Sequence, residues 1–90
     1  MVLGTFLKDQ NAILDYRIDW SLWLDGDTIS TSTWTLESGI TKATDTFTDT
    51  ITTIWLSGGT LGTTYTVSNR ITTANGRTED RTIEVSVVDR

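Results

Sequence analysis

The sequence predicts an all-β protein, a single antiparallel sandwich of about seven strands, and three observations carry that prediction. Apolar residues recur with period 2 and nowhere hold helical spacing for more than one turn. Threonine, β-branched and suited to a pleated surface, makes up about a fifth of the 90 residues. Short alternating runs are separated by glycine-bearing turns: "DGD", "ESG", "SGGTLG" and "ANG".

Residues 1–14 read as an N-terminal arm or a first strand, and residues 15–90 as the sandwich. In "VLGTFL", Val2, Leu3, Phe6 and Leu7 are apolar side chains with little to bury them in a lone domain. From 15 to 24 the alternation sends Tyr16, Ile18, Trp20, Leu22 and Leu24 inward, and Asp15, Arg17, Asp19, Ser21 and Trp23 outward. "DGD" at 25–27 turns the chain into "TISTSTWTL". There Ile29 and Trp34 differ in parity, which predicts a bulge between them. "TKATDTFTDTITTIWL" supplies one or two further strands, with Phe47, Ile51 and Trp55 on one parity and Ile54 and Leu56 on the other. Trp20 and Trp55 are expected in the core.

After the 57–63 glycine loop come the two clearest strands. Tyr65, Val67, Asn69 and Ile71 face inward on one, and Ile83, Val85 and Val87 on the other. A strict two-residue loop at Asn75-Gly76 would pair Val67 with Glu84, placing a core and a surface residue on one face. The hairpin must therefore hold an odd-numbered loop or a bulge, with Val67 opposite Ile83 or Val85. Tyr65, just after a glycine loop and opening the penultimate strand, stands where a tyrosine corner forms in immunoglobulin-like sandwiches. Its hydroxyl is expected to reach back to the backbone near Leu61.

The composition excludes much. The chain has no cysteine, histidine or proline. It therefore lacks a disulfide framework, a thiol nucleophile, and the commonest general base and metal ligand. The net charge is −5, and an acidic surface without a basic patch argues against a nucleic-acid partner. No apolar run approaches the roughly 20 residues of a membrane span. "MVLGTFLKDQ" lacks the charged and apolar regions of a signal peptide, so the chain is expected to be soluble and cytosolic at synthesis.

Each candidate site meets a physical objection or an alternative. Asp15 and Asp19 sit about 13 Å apart on an extended strand, too far for the roughly 5–9.5 Å of a glycosidase pair. "DGD" fails as a helix–loop–helix calcium site, because Ile29 and Leu36 stand where ligands belong. A looser calcium site from Asp25, Asp27 and Asp9 stays open. "GGTLGTT" lacks the lysine of a phosphate loop and precedes a strand. No catalytic residue, cofactor or metal set is therefore expected. Trp23, on the polar face with Arg17 and Asp19, suits protein docking, sugar stacking alongside Trp34, or cover by its own loop. Asp25, Asp27 and Arg77, in two exposed polar loops, are further contact candidates.

Taken together and in order, "DYRIDWS", "GDTI", "STWT", "WLSGGTLGTTY" and "ITTANGRTEDR" resemble a family of small tailed-bacteriophage structural proteins, the fiber–tail adaptors, from about Lys8 onward. The resemblance implies an immunoglobulin-like module without catalytic residues or cofactors. It would be assembled in the host cytoplasm into the tail region of the virion. Several copies would stand in a symmetric ring and touch tail, connector or fiber subunits. A capsid cement or head–tail joining protein, and a carbohydrate-binding adhesin-like module, are the other readings.

Overall fold

The computed structural model describes residues 2–89, and of Val2 the backbone alone. Among these residues run β1 (Val2–Asp9), β2 (Leu14–Asp19), the helical turn α1 (Ser21–Leu24), β3 (Ile29–Leu36), β4 (Ile40–Phe47), β5 (Ile51–Gly58), β6 (Thr64–Thr73) and β7 (Thr78–Val88). The strands form a four-stranded sheet of order β1-β7-β6-β3 and a three-stranded sheet of order β2-β5-β4. The inner faces of both sheets meet in one core. Tyr16, Ile18, Ile54 and Leu56 come from the second sheet, and Trp34, Val67, Ile71, Ile83, Val85 and Val87 from the first.

The expected parities of β6 and β7 hold. Tyr65, Val67, Asn69, Ile71, Ile83, Val85 and Val87 are all buried. Val67 lies opposite Ile83. The Thr73 N–H donates to Arg77 O at 2.8 Å, which leaves a three-residue loop, Ala74–Gly76. Gly76 takes φ +86° there, the left-handed position such a loop demands. The Tyr65 hydroxyl accepts the Thr60 N–H at 2.9 Å, one residue from the expected Leu61. Ser30 is the extra residue of the expected bulge, between the Ile29–Thr73 and Thr31–Thr72 pairs.

Asn69 is fully buried because its amide joins the sheets. Its Oδ1 accepts Trp20 Nε1 at 3.2 Å and Thr52 Oγ1 at 2.8 Å, and its Nδ2 donates to Ser32 Oγ and the Thr33 carbonyl. A buried polar group is tolerated when satisfied in this way.

Four expectations are corrected. First, the β1–β7 pairing is parallel within an otherwise antiparallel arrangement. Second, the strand from 15 ends at Asp19, where its partner β5 begins at Ile51. Asp19 Oδ1 accepts the Ser21 N–H at 2.9 Å, and the chain turns into α1. Asp25 closes that turn at φ 48°, a left-handed conformation that Asp tolerates. Third, Leu22 is therefore not in the core but 96% exposed, while Trp20 and Leu24 remain buried. Fourth, Trp55 is 39% exposed. The inward positions of β5 are Thr52, Ile54 and Leu56, so Trp55 points away from the core.

Candidate protein interface

Three of the residues singled out in the sequence meet at one end of the sandwich. Arg77 Nε donates to Asp27 Oδ2 at 3.2 Å, Nη1 to Trp23 O at 3.3 Å and Nη2 to Leu24 O at 2.7 Å. Its guanidinium carbon lies 4.2 Å from the Trp23 ring centroid, and Trp23 meets Trp20 edge-on at 5.6 Å. Further along the chain, Arg81 covers Trp20 at 4.4 Å and donates to Asp19 O. Arg77 and Arg81 thus hold α1 and its flanks by cation–π contacts and carbonyl hydrogen bonds. Asp27 is almost enclosed, its side chain 4% exposed. Hydrogen bonds from the Thr73 hydroxyl, and from Thr28, Arg77 and Asn75, hold its carboxyl below the ordinary carboxylate range, against its own burial.

This geometry removes two readings. Trp34 is buried and a Trp23 face is occupied by Arg77, so they form no exposed sugar platform. Asp9 pairs with Val88 and Asp27 sits beside the Thr73–Arg77 turn, at opposite ends of β7 and roughly 30 Å apart by strand rise. Asp9, Asp25 and Asp27 cannot share a calcium ion. Among the described residues no group of three acidic side chains is placed to hold a metal ion. Asp25 is exposed on its turn, and exposed Arg17 lies 3.8 Å from Asp15. Asp19 is exposed, with its carboxyl held low by hydrogen bonding to Ser21.

The other residues gather on one lateral side of the sandwich, where β1 of the first sheet and β2 of the second run side by side. On β1, Leu3 is 39% exposed, Phe6 39% and Leu7 50%; Phe6, opposite buried Val85, turns toward Tyr16, and Leu7, opposite Ser86, turns outward. Ile13 (59%) and Leu14 (38%) are exposed where the chain enters β2. Sequence alternation missed Ile13 and Leu14. Leu14, opposite buried Leu56, points inward at a strand end where no neighbour covers it.

Beneath this side β1 is firmly held. Lys8 is fully buried, and its Nζ donates to Gly58 O at 2.8 Å and Asp9 O at 2.9 Å, bridging the two sheets. Burial pushes its amine below the ordinary lysine range, partly offset by Asp9. The Tyr16 hydroxyl donates to Leu7 O at 3.0 Å, and the Tyr16 and Phe6 rings meet edge-on at 5.7 Å. A rigid strand that presents partly exposed leucine and phenylalanine is a built surface, not a loose tail.

Residues 8–86 match the family described as "Podophage GP4 fiber-tail adaptor protein gp77". The chain belongs to that family. Proteins of this adaptor family are structural parts of a phage. The match takes in β2 to β6 whole, β7 up to Ser86 and only Lys8 and Asp9 of β1, so Leu3, Phe6 and Leu7 precede it while Ile13 and Leu14 fall within it. No curated protein matches the sequence. Among solved structures, the chain is similar to "the cysteine protease inhibitor, EhICP2, from Entamoeba histolytica", at 14% identity over 92% of this chain and 85% of that one, with a TM-score of 0.49. A likeness that distant carries no inference about shared activity.

Proposed function

We propose that this adaptor-family chain is a non-enzymatic virion protein. It joins the tail or connector to fiber or neighbouring tail components through protein–protein contacts, and is assembled in the host cytoplasm. The observation that carries the reading beyond the family is the β1/β2 side, with its five partly exposed large apolar residues on the clamped β1, the turn after it and the start of β2. The side chain of Val2, also an apolar candidate of the arm, lies outside the described residues. An immunoglobulin-like reading of the fold fits this role. With β2 to β7 taken as strands B to G, the orders β2-β5-β4 and β7-β6-β3 are the B-E-D and G-F-C sheets of such domains. Copies would be placed several to a tail.

Producing the phage without this chain tests the proposal. Particles with filled heads and tails but no fibers are expected. Particles that retain their fibers would overturn it.

A further inference from the structure

The chain's charges say what kind of surface the β1/β2 side fits. Each described cation is already engaged within the chain. Lys8 is buried on two carbonyls, Arg17 lies beside Asp15, Lys42 holds Asp45, Arg70 holds Asp80, Arg77 holds Asp27, and Arg81 covers Trp20. The apolar side is bordered by carboxylates. Asp9 ends β1, Glu84 lies opposite Thr5, and Asp89 follows Val88, the partner of Asp9, while Asp15, after Leu14, is already beside Arg17. A second copy would bring the same acids and no uncommitted described cation to meet them, on a chain of net charge −5. Like charges facing across an interface oppose association, and opposite charges steer and hold it.

We infer that the β1/β2 side docks on a different protein, one that offers an apolar centre for Leu3, Phe6, Leu7, Ile13 and Leu14 inside a rim of lysine and arginine. The inference rests on the adaptor reading and gives its partner a chemistry. The copies on a tail are then held by that basic surface and not by one another through this side.

The test uses tails assembled by a phage lacking this chain, titrated with the purified chain. Leu7→Asp and Ile13→Asp alter half-exposed positions, so both variants should melt as the parent does. Each is expected to weaken tail binding by about tenfold or more. Parent binding is expected to fall about tenfold between roughly 50 and 500 mM NaCl, and the isolated chain to sediment as a monomer at both. Undiminished binding by either folded variant, or binding indifferent to salt, would overturn the inference and leave the adaptor role standing. So would a dimer of the isolated chain that Leu7→Asp dissociates. A parent chain that binds tails in neither salt would overturn the adaptor role, and the inference with it.

Discussion

The two lateral sides of the sandwich are built on opposite principles. On the β3/β4 side both edge strands carry a bulge, at Ser30 and at Ala43. β4 is rich in threonine. Its Lys42 and Asp45, opposite buried Leu56 and Ile54, turn a salt bridge of 2.8 Å toward the mouth between the sheets. Bulges and inward charges on an edge are devices that keep other strands away. β1 also slips register, between Val2 and Thr5, but among its described residues turns no charge pair toward solvent between the sheets. On the β1/β2 side the one inward charge, Lys8, is sealed beneath the surface, and leucine, isoleucine and phenylalanine meet solvent. The contrast teaches that the two edges treat exposure differently, since apolar side chains exposed elsewhere, such as Phe47 and Leu61, stand singly. One side is defended, and the other is left open and stiffened by Lys8 and Tyr16.

The contrast breaks most visibly at Leu7. Leu7→Asp should weaken tail docking by about tenfold or more, while Thr44→Asp on the defended side should leave docking and melting temperature unchanged in the same titration. Next in size is the reverse manipulation. Replacing Lys42 and Asp45 together by valine should make the β3/β4 mouth adhesive, turning a monomeric sedimentation profile into one with dimers and larger species.

Tyr16→Phe, which frees the Leu7 carbonyl, should lower unfolding stability by about 1 kcal/mol. It should speed amide exchange in β1 while leaving β3 and β4 as they are. Lys8→Met probes the seal by pH. The folded state holds the Lys8 proton less tightly than the unfolded chain does, so the folded state is favoured as pH rises from the lowered value toward about 10.5. That rise, measured by denaturant unfolding from about pH 8 to 11, should appear in the parent relative to Lys8→Met. The smallest effect belongs to Leu22→Ala, which should change stability by less than about 0.5 kcal/mol, because the side chain touches almost nothing.

Much of the fold was legible in the sequence where period 2 ran unbroken between turn signals. The β6–β7 register, the odd hairpin loop, the Ser30 bulge and the Tyr65 corner all followed from parity and glycine placement. Legibility failed where tertiary partners decide. Nothing in "WSLWL" says that β5 has no residue to pair beyond Asp19, so continued alternation was the natural reading and Leu22 was misplaced. Trp55 was assigned by its size, whereas the sheet placed Thr52, joined to Asn69, on the inner face and Trp55 outside. The Trp23, Asp27 and Arg77 assembly is long-range. Residue types had marked all three as candidates, but not that Arg77 would bind the other two within the chain. The parallel β1–β7 pair was equally invisible, since the alternation in a strand does not state the direction of its neighbour.

The open side makes one placement decisive. In a density map of the assembled virion, the chain should lie in the tail region, with Leu7 and Ile13 against a lysine- and arginine-bearing neighbour and the Lys42–Asp45 side facing solvent. A chain on the capsid shell, or one whose β1/β2 side faces solvent while its β3/β4 side is covered, would contradict an adaptor that docks through its open side.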